Sequence, residues 1–188
     1  MLQMFAFSGC AVVVRHWFEI DLTDASMEHG ARVEVRELAS GPHRGSESAA
    51  QLIAADRPLW RADLFDRLSD QPGTFAAAHY HPYFIGDEPS DRTWDQALTA
   101  DPWRWLADQI GASHEQWQLD AADAVDVPRY ADQIVAAARS FGPGNCRSAA
   151  QCFELTQDVQ DTVRLMIDYL ERPELLDASW VRPWTDGT

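Results

Sequence analysis

Apolar and polar residues alternate along four segments in the first half of this chain. The segments are 12–22, 31–38, 58–65 and 74–81. Side chains on a β-strand point to opposite faces at every second residue, so this alternation indicates strands with one apolar and one polar face. Residues typical of turns and loops, including Gly and Pro, separate the segments. The pattern therefore predicts a four-stranded antiparallel sheet in the N-terminal half.

The second half has the periodicity of helices. Helices are predicted at 101–111, 126–142 and 148–173. The first begins with Asp101 as the capping residue and Pro102 at the first helical position, and Gly111 is suited to end it. One further helix, 48–55, is predicted between the second and third strands, because Ser48 and Gln51 form a capping-box pattern.

Together these patterns predict an α+β fold in which the sheet packs against the C-terminal helices. The chain has 188 residues, enough for one well-packed domain, and 46% of them are hydrophobic, which favours a real core. We expect residues 1–11 to be a leader that is disordered or precedes the true start. Residues 12–188 then form one domain, with a β-rich half at 12–86 and a helical half at 87–188.

The alternation also assigns each strand residue to a face of the sheet. The predicted apolar face, which the helices must cover, carries Phe18, Ile20, Leu22, Val33, Val35, Trp60, Ala62, Leu64, Ala76, Ala78 and Tyr80. The opposite face is dense in ionisable groups and is expected to meet solvent. It carries Glu19, Asp21, Arg32, Glu34, Arg36, Arg61, Asp63, His79 and His81.

His79 and His81 lie at i and i+2 near a predicted strand end, so their imidazoles point the same way. Two such rings with a carboxylate can bind one divalent ion, and a 2-His-1-carboxylate set suits zinc, iron or manganese. The nearby residues that would complete the set are Asp87, Glu88, Asp91 and His43. The alternative is that both histidines lie on a solvated charged face, since such short patterns are frequent by chance.

The same polar face offers an acid–base hypothesis. Arg61, with Asp63 and Glu34 beside it, would clamp a carboxylate or phosphate while His79 or His81 moves a proton. The alternative is a ladder of exposed cross-strand ion pairs, each contributing about 0.2–1 kcal/mol.

Charge and composition exclude several classes of function. The net charge of −15 disfavours binding to nucleic acid or to an anionic membrane. All the basic residues are Arg, so a Schiff-base or P-loop lysine cannot occur. No dinucleotide-binding, zincin or α/β-hydrolase motif is present, and the three cysteines fit neither a disulfide framework nor a zinc pattern. We expect a cytoplasmic protein.

Two hypotheses of function remain. The favoured one is a non-enzymatic interaction or regulatory module, because such modules need no motif. Its acidic charge suits a basic protein partner, or the chain forms a homodimer. The alternative is a small metal-dependent or acid–base enzyme that uses His79, His81 and nearby carboxylates.

Overall fold

The computed structural model describes residues 2–20, 27–40, 53–67, 73–112 and 114–142. In these ranges one antiparallel sheet has its strands in chain order: β1 (Leu2–Ala6), β2 (Cys10–Ile20), β3 (Met27–Ser40), β4 (Ile53–Arg67) and β5 (His79–His81). A small hairpin follows, formed by β6 (Phe84–Ile85) and β7 (Glu88–Pro89). The helices are α1 (Gln96–Ala100), α2 (Pro102–Ala112), α3 (His114–Trp117), α4 (Asp123–Arg129) and α5 (Ala131–Phe141).

The α+β class is confirmed, but the sheet has five strands where four are predicted. The additional strand is β1, which pairs with β2 from Leu2↔Arg15 to Ala6↔Ala11. The expected disorder of residues 1–11 is therefore incorrect for this segment. Main-chain pairing orders β1 although Leu2 and Met4 are exposed, and exposed apolar residues are weak sequence evidence for a strand.

The last strand of the sheet is shorter than predicted, because the chain turns before it. Residues 73–78 form turns, and Phe75 has a positive φ of 53°. The buried Asp66 carboxylate holds this turn by accepting hydrogen bonds from the backbone N–H groups of Gly73 (2.5 Å) and Phe75. Ordered pairing begins only at His79, which lies opposite Asp63.

Strand β4 is longer than predicted and begins inside the predicted helix 48–55. Ile53, Ala54 and Ala55 pair with the end of β3, so the helix prediction is wrong at these three residues. The long β3–β4 pairing, which extends from Glu28↔Arg67 to Ser40↔Ile53, overrides the local capping-box pattern. The rest of that prediction, including Ser48 and Gln51, lies outside the described residues.

The helix predicted from Asp101 is present as α2. The helix predicted at 126–142 is divided into α4 and α5. Tyr130 lies between the two helices, and Pro128 lies in the last turn of α4. The predicted helix 148–173 lies outside the described residues. Within the described part of the chain, no helix combines the length and apolar character needed to cross a membrane.

The apolar face of the sheet packs against the helices and forms the core. Trp60 is central to it: its ring stacks on Trp105 of α2 at a centroid distance of 6.0 Å and contacts Trp117 of α3 at 5.3 Å. The predicted apolar positions that are fully buried are Val33, Val35, Trp60, Ala62, Leu64 and Ala78. Ala76 is exposed because it lies in the turn before β5. The side chains of Phe18, Ile20 and Leu22 lie outside the described part.

The polar face has the predicted residues but not the predicted exposure. Arg32, Glu34, Asp63, His79 and His81 are all buried on it. The segment 82–94, called the flap below, folds back over this face and includes the β6–β7 hairpin. Main-chain hydrogen bonds between Tyr80 and Thr93 fasten its end. The prediction that both imidazoles face solvent is therefore wrong.

Candidate metal centre

The register of the three central strands brings the ionisable side chains into two adjacent rows. In the first row Arg32 of β3 lies opposite Asp63 of β4, and Asp63 lies opposite His79 of β5. In the second row Glu34 lies opposite Arg61, and Arg61 lies opposite His81. Positions two residues apart on one strand share a face, so both rows lie on the same side of the sheet.

Asp63 is the centre of this arrangement and has 0% exposure. Arg32 makes a bidentate ion pair with it, in which Nε donates to Oδ1 at 2.6 Å and NH2 donates to Oδ2 at 3.0 Å. The Nε atom of Arg61 is 3.2 Å from Oδ2. Arg32 also donates to Glu19, and its guanidinium lies 4.7 Å from the centroid of the Trp17 ring. Such paired, stacked charges can remain ionised in a buried site.

Backbone carbonyls determine which ring nitrogen carries the proton in each histidine. His79 Nδ1 lies 2.8 Å from the carbonyl oxygen of Ala77, and His81 Nδ1 lies 2.6 Å from that of Ser90. A carbonyl oxygen only accepts hydrogen bonds, so Nδ1 must donate in both rings. In the neutral rings the lone pair is therefore on Nε2. Metal-ligating histidines commonly have this arrangement, with the second ring nitrogen donating to a fixed acceptor.

Both Nε2 atoms converge on the same carboxylate oxygen. The distance to Asp63 Oδ2 is 3.5 Å from His79 Nε2 and 3.8 Å from His81 Nε2. One ligand atom from each of Asp63, His79 and His81 lies within 4.8 Å of the others. Ligands at about 2.0–2.1 Å around a tetrahedral zinc ion are about 3.3 Å apart, so these atoms would have to approach one another by up to about 1.5 Å to bind one ion.

The Nε2 atoms of the two histidines differ in their hydrogen-bond partners. His81 Nε2 accepts a hydrogen bond from NH2 of Arg61 at 3.0 Å. His79 Nε2 is buried and has no hydrogen-bond partner among the residues that the structure describes. An unpaired lone pair facing a carboxylate oxygen is unfavourable, because both atoms carry negative charge density.

Burial lowers the pKa of His79 below its usual value, and the Ala77 carbonyl and the Asp63 carboxylate offset this only in part. Burial likewise lowers the pKa of His81, with the Arg61 charge acting in the same direction. Both shifts favour the neutral ring, which has a lone pair to offer and is the state that a metal ligand requires.

The flap closes the site on the side away from the helices. The Phe84 ring lies 6.5 Å from the His81 ring, and the Trp94 ring lies 6.2 Å from the His79 ring. Arg92 fastens the flap to the sheet by hydrogen bonds to Glu19 (2.8 Å) and Glu28 (2.9 Å).

The structure brings four of the sequence-predicted site residues together: Arg61, Asp63, His79 and His81. Glu34 is adjacent, but its carboxylate bonds to Arg36 at 3.1 Å and lies 3.6 Å from Arg15. Asp87, Glu88 and Asp91 are exposed on the flap and do not join the cluster, because the β6–β7 hairpin turns them toward solvent. His43 lies outside the described residues.

Arg32 is the residue of this site that sequence reasoning missed, since it appears there only as one charge of the polar face. A signal for it was present. Trp17 and Phe65 fall on the same face by alternation, and large aromatic residues among charges indicate that the face is covered. In the structure the Arg32 guanidinium lies over both rings.

Three cavities in the described part of the chain lie away from this cluster. The first, of about 400 Å³, is bordered by Cys10, Arg57, Trp117 and Asp123 among others. The second, of about 560 Å³, lies between β1 and α4, and the third, of about 400 Å³, lies between α2 and α5. Asp63, His79 and His81 line none of these three.

Comparison of the chain with protein-family models, with curated proteins and with solved structures found no match. The geometry itself defines the class of site, a buried 2-His-1-carboxylate group on the covered face of an α+β sheet.

Proposed function

We propose that this protein binds one divalent transition-metal ion, with zinc preferred, through Asp63, His79 and His81. The observation that carries the proposal is the buried Nε2 atom of His79, which lies 3.5 Å from Asp63 Oδ2 and has no hydrogen-bond partner among the described residues. A cation between these atoms removes the repulsion between them. A proton would do the same, but burial lowers the pKa of His79 and disfavours the protonated ring at neutral pH.

The surroundings favour zinc over iron or manganese. Three protein ligands leave the fourth zinc position to a water molecule, and burial of the site favours a structural or regulatory ion. Zinc accepts four ligands of mixed nitrogen and oxygen type, whereas iron and manganese centres commonly need six. His79 has 0% and His81 4% exposure, and the flap covers both rings. The ion would connect β4 to β5 and so stabilise the edge of the sheet on which the flap rests.

The first test measures zinc in protein purified without an affinity tag. We expect about one zinc per chain, and a zinc-dependent rise of the unfolding temperature because the ion binds only the folded state. His79→Gln/His81→Gln should lose both effects. The matched control is His16→Gln/His29→Gln, which removes another pair of neighbouring histidines, with ring centroids 6.0 Å apart, from the same sheet. That control should bind zinc as the wild type does.

Zinc binding that is absent from the wild type, or equal in the two double variants, would contradict the metal site. Circular dichroism of each variant distinguishes loss of the ion from loss of the fold.

A second candidate function is docking of a basic protein partner on the flap. Tyr83 and Ile85 are 56% and 77% exposed, while Phe84 between them turns inward. The exposed carboxylates of Asp87, Glu88 and Asp91 lie on the same short segment. Apolar side chains rimmed by one sign of charge suit a partner with complementary charge.

For this candidate we expect a protein to be retained from native lysate by the wild type and lost from Tyr83→Ser/Ile85→Ser. Val125→Ser, which alters an exposed apolar residue of α4, should retain it. Light scattering of the purified chain checks the homodimer separately. A partner that binds all three proteins equally does not use the flap.

A further inference from the structure

A positively charged group already occupies part of the proposed metal centre. Arg61 lies on β4 directly opposite His81 in the sheet register. Its NH2 donates to His81 Nε2 at 3.0 Å, and its Nε lies 3.2 Å from Asp63 Oδ2. These two atoms belong to two of the three residues that form the centre.

We infer that Arg61 competes with the metal ion, so that the site exchanges between an arginine-bound and a metal-bound state and Arg61 sets its affinity. This inference rests on the proposed metal site. The Nε2 lone pair of His81 can accept either an N–H group or a metal ion, but not both. A guanidinium and a divalent ion that share Asp63 Oδ2 would also repel each other strongly, because the buried site screens charge poorly.

Arg32 is not the competing residue, although it also binds Asp63. Its guanidinium uses Nε and NH2 on the two oxygens of Asp63, and a further contact connects it to Glu19. It is 4% exposed and makes no hydrogen bond to either imidazole among the described residues. We therefore expect Arg32 to stay on Asp63 in both states and to keep the carboxylate oriented.

The Arg61 side chain can move out of the site, and other groups are close enough to bind it. Its side chain is 14% exposed, so it is closer to solvent than Asp63 or His79. Glu34 lies opposite it on β3, and the Phe84 ring of the flap lies 5.7 Å from its guanidinium carbon. A guanidinium released from the site can pair with the Glu34 carboxylate or lie over the Phe84 ring. Metal binding would thereby alter the packing beneath the flap.

The test compares zinc affinity in the wild type, Arg61→Met and Arg57→Met, by competition with a chromophoric chelator. Arg61→Met removes the charge and keeps an unbranched side chain, and we expect zinc to bind about tenfold more tightly or better. Arg57→Met removes a guanidinium from the same strand, where it is half exposed and bound to Glu37. Its zinc affinity should equal that of the wild type.

Equal zinc affinity in the wild type and Arg61→Met would overturn the competition and leave the metal site standing. Absence of zinc binding in all three proteins would overturn the metal site itself, and the competition with it. Zinc binding by Arg61→Met alone would support both.

A second variant and a measurement on the wild type test the same inference if Arg61→Met does not fold. Arg61→Gln keeps a hydrogen-bond donor without the charge and should also bind zinc more tightly. In the wild type, the Nε–H resonance of Arg61, identified by its absence in the variants, should shift on addition of zinc while that of Arg57 stays fixed. An unmoved Arg61 resonance in zinc-bound protein would overturn the inference.

Discussion

Asp63→Asn should lower the free energy of unfolding of the metal-free protein by about 3–5 kcal/mol, the usual cost of removing one partner from a buried ion pair. The substitution leaves the volume almost unchanged and removes the charge that Arg32 and Arg61 share. Arg32 is 4% exposed, so its guanidinium cannot turn to water without displacing the neighbouring packing. Glu19 remains bonded to it but is a single, partly exposed carboxylate.

The measurement is chemical denaturation in the presence of a chelator, so that any effect of a bound ion is removed. Asp108→Asn is the matched control. It breaks an exposed pair with Arg104 one helical turn away, and such pairs contribute only about 0.3–0.5 kcal/mol. Similar losses in the two variants would show that the buried network does not stabilise the fold.

Acid should destabilise the metal-free protein through the same two histidines. The pKa values of His79 and His81 are lowered in the folded state from the usual histidine value of 6.5. The folded rings therefore stay neutral while the unfolded chain takes up protons as the pH falls through 6.5. Their contribution to stability is complete above that pH and is lost as the pH falls toward the folded pKa. Each ring accounts for up to about 1.4 kcal/mol per pH unit.

Denaturation between about pH 7.5 and pH 5.5 checks this expectation, and the comparison is with His79→Gln/His81→Gln. The double variant should lose less stability on acidification than the wild type. Asp66, His16 and His29, whose pKa values are also shifted by burial, are present in both proteins, so their effects cancel. A wild type that gains stability in acid relative to the variant would mean that His79 is an imidazolium bound to Asp63, and the metal proposal would lose its main support.

Alternation along the strands was enough to predict which residues share a face. The cross-strand pairs Arg32↔Asp63 and Asp63↔His79 lie on the face that the sequence assigns to charges. Side chains of an extended backbone change face at every residue, which is a local property. The assignment of residues to faces is therefore correct even where the predicted strand ends are wrong. The start of α2 was also predictable, because both signals are local. The Asp101 carboxylate accepts a hydrogen bond from the backbone N–H of Arg104 at 3.0 Å, and Pro102 fixes its own φ.

Exposure of the polar face could not be predicted from alternation itself, although Trp17 and Phe65 on that face indicate that it is covered. It depends on the flap, which folds back over residues that precede it in the chain, and no local pattern records that contact. The sequence also could not identify which carboxylate joins the two histidines in the candidate metal centre. Glu88 and Asp91 are closest to the histidines in sequence, whereas Asp63 reaches them only through strand pairing. The strand β1 was missed for another reason: its sequence, Leu-Gln-Met-Phe-Ala, is mostly apolar and does not alternate regularly.

The carbonyl group of Ser90 couples the length of the flap to the orientation of one imidazole. Ser90 immediately follows β7, and its oxygen holds His81 Nδ1 at 2.6 Å. A residue inserted or deleted between Pro82 and Ser90 would shift this acceptor and release the ring to rotate. In homologous chains, natural variation in loop size should therefore be tolerated beyond Trp94 more readily than inside this short span.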